Sequence, residues 1–252
     1  MSNCKPMIES EPPRSFCWAH TRKAHPLMSR THLLATGRAF LFDMDGTILD
    51  SNAIVEKLWR VFAKRHNLDA DDILSFSHGR PSITTIAHFL PDLSADEHQH
   101  LSDERTAEEI RITSGIVAIP GAVAFFQQLD QLGVPYAVVT SATADLARTR
   151  IVAAGLPIPD VLVTPETITQ GKPNPEGYLT AASQLGVAPS QTVVFEDADA
   201  GITAGIAAGA QVVVVGSATR HDDRMQAHPH IPDFRGVTVD ALGDGTFTVA
   251  TP

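Results

Sequence analysis

The stretch AFLFDMDGTILDS at residues 39–51 decides the fold of this chain. Its first five residues form a short apolar run that ends in Asp43, and Gly46 follows three residues later. Because this run is too short for a helix and is bounded by a glycine, it predicts a buried strand. Asp43 and Asp45 then stand at the carboxyl end of that strand.

Four further apolar runs have the same character, and helical patterns separate them. Fully apolar strands that alternate with helices are typical of a parallel sheet covered by helices on both faces. The sequence therefore predicts an α/β fold with a doubly wound parallel sheet. The further strands are expected at residues 135–140, 161–164, 192–196 and 211–215, and the helices at residues 122–132, 144–154, 175–185 and 200–208.

One long interval, residues 53–119, interrupts this alternation. It contains no convincing strand pattern, and apolar residues such as Ile54, Leu58 and Phe62 follow one another at helical spacing. We therefore predict an all-helical cap domain inserted into the α/β core. The core is expected at residues 39–52 and 120–252, with a terminal hairpin at the edge of its sheet, and residues 1–38 are expected to be a disordered leader.

The charge of the chain is divided between the leader and the rest. The sequence has 19 basic against 29 acidic residues, a net charge of −10. Six basic and two acidic residues in the leader give it +4, so residues 39–252 carry −14. An acidic body disfavours electrostatic binding to nucleic acid or to an anionic membrane, and no apolar run reaches the length of about 18 residues that predicts a membrane-spanning helix. Both cysteines lie in the leader, which fits a reducing compartment and favours a cytoplasmic location.

The predicted strands end in side chains that can carry chemistry. Ligands of open parallel sheets bind at the carboxyl ends of the strands. Carboxylates that face one another repel unless a divalent cation lies between them, and oxygen donors without cysteine favour Mg²⁺. A lysine and a hydroxyl beside such an ion suit a phosphoryl group, to which one aspartate can act as nucleophile while the second protonates the leaving oxygen. The residues concerned are Asp43, Asp45, Thr140, Ser141, Lys172, Glu196 and Asp197.

These stretches also resemble a known family. The segment FDMDGTILDS at residues 42–51 resembles the first motif of the haloacid dehalogenase superfamily of phosphatases. The segments VVTS, GKPNPEGY and VVFEDADAGITAGIAAG follow in the order and spacing of the other three motifs. Within the cap and just after it, SFSHGRPSIT and IPGAVAFFQQL are similar to the sugar and hexitol phosphatases that carry a helical cap.

The resemblance implies a role for each core residue. Asp43 would be the nucleophile and a Mg²⁺ ligand. Asp45 would be the general acid, with its backbone carbonyl also on the metal. Thr140 and the amide of Ser141 would hold the phosphoryl oxygens, and Lys172 would neutralise the nucleophile and the transferring group. Together these roles describe transfer of a phosphoryl group to an aspartate.

The remaining predicted residues belong to the metal site and to a cap segment expected at the entrance of the active site. The resemblance implies that Glu196 and Asp197 complete or brace the Mg²⁺ site. In the cap, His78, Gly79 and Arg80 form a polar segment with a glycine, and Arg80 suits a phosphate or polyol oxygen. We expect this segment to bind substrate; the alternative is an exposed loop without a role in binding.

The function implied by the resemblance is a Mg²⁺-dependent phosphatase for phosphomonoesters of small sugars or polyols, acting through an aspartyl phosphate. Two alternatives stay open at this point. A mutase of the β-phosphoglucomutase type would pass the phosphoryl group to a sugar instead of water, and a catalytically silent regulator would bind the phosphorylated ligand without turnover. We expect a monomer whose partner is the small phosphorylated substrate.

Overall fold

A parallel sheet forms the centre of the structure, a computed structural model that describes residues 1–2, 31–77, 80–216 and 227–252. The strands of these residues are β1 (His32–Gly37), β2 (Ala39–Phe42), β3 (Leu49–Asp50), β4 (Val117–Ala118), β5 (Tyr136–Val139), β6 (Val161–Val163), β7 (Thr192–Glu196), β8 (Gln211–Val215), β9 (His230–Ile231), β10 (Thr238–Ala241) and β11 (Phe247–Thr251). The central sheet has the order β6-β5-β2-β7-β8-β9, with each strand parallel to its neighbours. The predicted α/β fold with a doubly wound parallel sheet is confirmed.

Helices cover both faces of this sheet, which explains why its strands are apolar throughout. Phe40 and Phe42 of β2 pack into one hydrophobic cluster with Phe126, whereas Leu41 packs into a second cluster with Tyr178 on the opposite face. This alternation is the period of two that a strand imposes. The helices are α1 (Asn52–His66), α2 (Ala70–Ser77), α3 (Ser82–Phe89), α4 (Ala95–Arg111), α5 (Ala122–Leu132), α6 (Ala144–Ala153), α7 (Glu176–Gln184) and α8 (Asp199–Ala207).

The helices α1 to α4 lie between β3 and β4, within the interval for which the sequence predicts an inserted helical cap. They have a small hydrophobic core of their own, in which Trp59 and Phe62 of α1 pack with Ile73 and Ile86. The short strands β3 and β4 pair in antiparallel fashion where the chain leaves the core and returns to it. The cap therefore has a packing centre of its own, and the chain passes between cap and core through a two-stranded connection.

A second sheet, of order β1-β11-β10, differs from the prediction in two respects. Residues 32–37 were assigned to the disordered leader, but they form β1 and pair with β11 in antiparallel register. The predicted hairpin is present as β10 and β11, yet it belongs to this sheet and not to the edge of the central one. Local sequence gave no signal for β1 because its partner strand lies about two hundred residues further along the chain and Leu33 remains exposed.

The described residues from Thr31 to Pro252 fold as one compact unit. Within it, α4 of the cap packs directly on α6 of the core. This contact brings the cap over the carboxyl ends of the parallel strands. None of the described helices has the length and apolar character needed to cross a membrane.

Candidate active site

The strands β5, β2 and β7 are neighbours in the sheet, so their carboxyl ends place three predicted residues side by side. Asp43 directly follows β2, and its amide donates to the carbonyl of Phe195 at 3.0 Å. Thr140 directly follows β5, and Glu196 is the last residue of β7. All three side chains are buried. The fold thus brings together groups that are up to 153 residues apart in sequence, from Asp43 to Glu196.

Lys172 connects two of these groups from the loop between β6 and α7. Its Nζ donates to Asp43 Oδ1 at 2.5 Å, to Glu196 Oε1 at 2.7 Å and to the carbonyl of Val139 at 3.1 Å. Burial acts to lower the pKa of this lysine, but the carboxylates of Asp43 and Glu196 outweigh it and raise the pKa above its ordinary value. Lys172 is therefore a fixed ammonium ion at the carboxyl end of β2.

Three carboxylates lie close together beside this lysine. Oxygens of Asp43, Glu196 and Asp197 are within 4.8 Å of one another. Burial, together with the neighbouring Glu196 carboxylate, raises the pKa of Asp43 well above its ordinary value. Among the described residues of this cluster the carboxylates outnumber the ammonium group, and a divalent cation would offset the excess negative charge. The donor set consists of hard oxygen atoms only, so these residues fit Mg²⁺.

Glu196 is held in place by neighbours that the sequence analysis did not identify. The hydroxyl of Tyr178 donates to Oε1 at 2.9 Å, and the amides of Asp197 and Ala198 donate to Oε2 at 3.0 and 3.1 Å. A Cβ atom at Gly201 would lie 1.5 Å from Oε1. Only glycine fits there, because a larger residue would displace the carboxylate from the cluster.

Asp45 has different surroundings from Asp43, although only one residue separates them. Its Oδ1 accepts from Ser51 Oγ at 2.5 Å, and its Oδ2 accepts from Arg150 Nη1 at 2.8 Å. Its side chain is not part of the carboxylate cluster. The carboxyl group of Asp45 therefore stands apart from the carboxylates that could hold a cation.

Above these groups lies a cavity of about 360 Å³ between core and cap. The predicted residues Asp43, Asp45, Thr140, Ser141 and Arg80 all line it. Arg80 places its guanidinium carbon 4.6 Å from the ring centre of Phe76 in the cap. His78 and Gly79, which were predicted beside Arg80, lie outside the described residues. Further lining residues come from α1, α4 and α6 and include Trp59, Arg105, Glu109 and Arg150.

Arg105, Glu109 and Arg150 form a buried ion network that sequence reasoning missed. Arg150 Nη2 donates to Glu109 Oε2 at 2.5 Å, and Arg105 Nη2 lies 2.8 Å from Glu109 Oε1. Arg105 also stacks on Trp59, with its guanidinium carbon 3.6 Å from the ring centre, and burial lowers the pKa of Arg105 to about 10. Two arginines on helical patterns look like ordinary surface residues in the sequence, so no local signal could have found this network.

Comparison with known proteins adds evidence that the geometry alone does not contain. Residues 38–209 match the family model described as haloacid dehalogenase-like hydrolase. The chain is 44% identical to hexitol phosphatase A of Escherichia coli (strain K12), over 71% of this chain and 82% of that protein. It is 37% identical to glycerol-1-phosphate phosphohydrolase 2 of Saccharomyces cerevisiae, over 73% of this chain and 76% of that protein.

A solved structure supports the same α/β fold. The crystal structure of a HAD hydrolase, family IA, variant 3, from Entamoeba histolytica superimposes with a TM-score of 0.69 at 26% identity. The superposition covers 79% of this chain and 95% of that chain. The likeness therefore extends over both the α/β core and the inserted helices.

Proposed function

The chain belongs to the haloacid dehalogenase-like hydrolases, and we propose that it is a Mg²⁺-dependent phosphatase of small sugar or polyol phosphates. The observation that carries this proposal is the buried Lys172 between Asp43 and Glu196, beside a third carboxylate and below a cavity of about 360 Å³. Phosphoryl transfer requires a nucleophile, a fixed cation and oxygen ligands for Mg²⁺. These residues offer all three at the carboxyl ends of neighbouring strands.

The reaction begins with Asp43. One of its carboxylate oxygens attacks the phosphorus of the substrate, and the bond between phosphorus and the sugar oxygen breaks. Asp45 gives its proton to that leaving oxygen, so the sugar or polyol departs as a neutral alcohol. In the second half, Asp45 takes a proton from water, and the water oxygen attacks the phosphorus of the aspartyl phosphate. Inorganic phosphate leaves, and both aspartates return to their starting states.

The remaining residues bind and balance charge. Asp43, Glu196 and Asp197 would hold Mg²⁺, which supplies positive charge to the phosphoryl oxygens when bound. Lys172 stays protonated and offsets the charge that develops around Asp43. The hydroxyl of Thr140 and the amide of Ser141 orient the phosphoryl oxygens from the end of β5.

The charges that line the cavity favour a substrate with one phosphate group on an otherwise uncharged alcohol. Arg105 and Arg150 are already paired with Glu109, and Arg150 also with Asp45. Among the described lining residues, Arg80 is left as the arginine without a carboxylate partner. A second phosphate on the substrate would therefore meet more carboxylates than available cations. Relatives named for a hexitol and for glycerol 1-phosphate support the same class of substrate.

We also propose a cytoplasmic monomer. Residues 39–252 contain no cysteine, which fits a reducing compartment. Asp43, Lys172 and Glu196 meet within a single chain, which is compatible with a site that works in a monomer. Size-exclusion chromatography with light scattering would measure the mass, and a stable dimer would contradict this part of the proposal.

The proposed function is tested with a panel of sugar, polyol and bisphosphorylated compounds assayed for kcat/KM. We expect release of inorganic phosphate from hexose, hexitol and glycerol phosphates with Mg²⁺, much weaker activity on bisphosphates, and no turnover after chelation with EDTA. Free phosphate and isomerised sugar phosphate are measured in the same reactions. Isomerisation without phosphate release would identify a mutase, and binding without either product would identify a regulator.

A further inference from the structure

We propose that Arg150 is a positioning residue that ties the proton donor Asp45 to the cap through Glu109. The proposal rests on the phosphatase function given above, in which Asp45 protonates the leaving oxygen. Arg150 does not belong to any of the four sequence motifs, and it lies 105 residues from Asp45 and 41 residues from Glu109. It is placed between them by the packing of α4 on α6.

The guanidinium of Arg150 divides its two terminal nitrogens between core and cap. Nη1 donates to Asp45 Oδ2 at 2.8 Å, and Nη2 donates to Glu109 Oε2 at 2.5 Å. The two bonds leave from one rigid, planar group, so the Asp45 and Glu109 carboxylates have a fixed separation. A lysine could contact only one of them with comparable geometry.

Burial makes this link more than a surface ion pair. Arg150 is 4% exposed and Glu109 is 5% exposed, so solvent does not compete for either group. Loss of one member would leave a carboxylate or a guanidinium buried without its partner, which is far more costly than loss of an exposed pair. The other carboxylate oxygen of Glu109 forms an ion pair with Arg105, which stacks on Trp59 of the cap.

This arrangement selects the oxygen of Asp45 that works as the acid. Arginine carries only donors, so the Oδ2 that faces Arg150 can only accept a hydrogen bond. Oδ1 is then the oxygen left to face a leaving group, and its neighbour is the hydroxyl of Ser51, a group that can donate or accept. Arg150 thus orients the carboxyl group, and it does so only while Glu109 holds the other end of the guanidinium.

The link also makes the orientation of the acid depend on the cap. Glu109 lies in the last turn of α4, shortly before β4 returns the chain to the core. A shift of α4 relative to α6 would move Glu109, and the rigid guanidinium would pass this movement to Asp45. The acid is therefore aligned when the cap is seated over the substrate.

The experiment compares leaving groups, because a poor leaving group needs the acid and a good one does not. We measure kcat/KM with Mg²⁺ for a series of monophosphates that runs from dinitrophenyl phosphate through less acidic phenols to glycerol 1-phosphate. This quantity covers the steps up to transfer of the phosphoryl group to Asp43. For Arg150→Met we expect a loss of about 100-fold on the alkyl phosphate and of less than about threefold on dinitrophenyl phosphate.

Two further variants separate positioning from support of the fold. Arg105→Met removes a second buried arginine from the same Glu109 but leaves both ion pairs of Arg150, so its dependence on the leaving group should be weaker than that of Arg150→Met. Glu109→Gln keeps the volume and one acceptor oxygen, and it should show the dependence of Arg150→Met with a smaller amplitude. It also serves as the test if Arg150→Met does not fold, and thermal melting of each variant monitors folding.

The outcomes are distinct. A loss that is equal for dinitrophenyl and alkyl phosphates in Arg150→Met and Glu109→Gln would overturn the positioning role and leave Arg150 as a support for the cap. A leaving-group dependence in Arg105→Met as strong as that in Arg150→Met would also overturn it. If the wild type hydrolyses no member of the series, the proposed function itself fails, and this inference fails with it.

Discussion

The two sides of the cavity are built in different ways. On the core side, Asp43 and Glu196 stand at the ends of neighbouring strands, and Lys172 lies within 2.7 Å of both. On the cap side, Trp59 and Arg80 come from helices and connections that pack around a separate small core. The core side is fixed by the hydrogen bonds of the central sheet, whereas the cap side is fixed by side-chain packing and by the buried ion pairs of Glu109.

This difference separates the groups proposed to carry out the reaction from the groups proposed to select the substrate. In the proposed reaction, the groups that react with phosphorus do not depend on which alcohol carries the phosphate, so they can be held rigidly. The groups that face the alcohol can change with the cap while the reaction stays the same. A change on the core side should therefore affect all substrates equally, and a change on the cap side should discriminate among them.

The largest effect is expected from loss of the nucleophile. Asp43→Asn should lower kcat by about four to six orders of magnitude for sugar and aryl phosphates alike, because no other described carboxylate can form the covalent intermediate in its place. The thermal midpoint without Mg²⁺ should stay at the wild-type value or rise, since the change removes one of three mutually repelling carboxylates. Steady-state kinetics and thermal melting measure the two quantities.

Asp199→Asn is the matched control for this variant. Asp199 belongs to the same acidic segment, but it is exposed in the first turn of α8 and lies outside the carboxylate cluster. Its loss should leave kcat and Mg²⁺ dependence unchanged. A strong loss of activity in Asp199→Asn, or a selective loss for one substrate in Asp43→Asn, would contradict the assignment of the reaction to the core side and of substrate selection to the cap side.

The core side could be predicted almost completely from the sequence. Asp43, Thr140 and Glu196 each follow or end an apolar run, and parallel strands must bring those ends to one edge. The chemistry of these residues is therefore encoded locally, within a few residues of each strand. Tyr178 escaped notice because its role depends on α7 facing β7, which no local pattern reveals.

The cap side could be predicted only as a helical insertion. Periodicity locates helices, but it does not say which face of α4 meets α6 or which charges become buried there. Arg105 and Glu109 are a common pair at a spacing of four residues, and only their burial between cap and core gives them significance. The same limit applies to β1, whose partner β11 is at the other end of the chain.

An intermediate effect is expected from Arg80, the cation that faces the alcohol from the cap. Arg80→Ala should raise KM for sugar phosphates by about tenfold, the equivalent of one charge-assisted hydrogen bond, and leave kcat and the KM for a small aryl phosphate nearly unchanged. Arg60→Ala is the control, because Arg60 lies in α1 of the same cap but pairs with Glu56 and Asp71 on an exposed surface. Equal changes of KM for both substrates would assign Arg80 to phosphate binding and not to selection.

The smallest effect is expected from Tyr178. It gives the most sensitive test of the difference between the core side and the cap side of the cavity. Burial raises the pKa of Tyr178 well above its ordinary value, so the phenol stays neutral and donates to Glu196 Oε1. Tyr178→Phe removes this bond without changing the shape of the side chain. Lys172 still donates to the same oxygen and two amides hold the other, so we expect a loss of about 1 kcal/mol, which is about fivefold in Mg²⁺ affinity.

This loss should be the same for every substrate, since Tyr178 acts through a metal ligand on the core side. Calorimetric titration with Mg²⁺ gives the affinity, and kcat/KM at subsaturating Mg²⁺ should fall by one common factor for glycerol 1-phosphate and for an aryl phosphate. At saturating Mg²⁺ both rates should return close to wild type, because the bond positions the ligand and takes no part in the reaction. A substrate-dependent loss that persists at saturation would mean that the position of Glu196 influences selection, and the two sides of the cavity would then be coupled through more than Arg150.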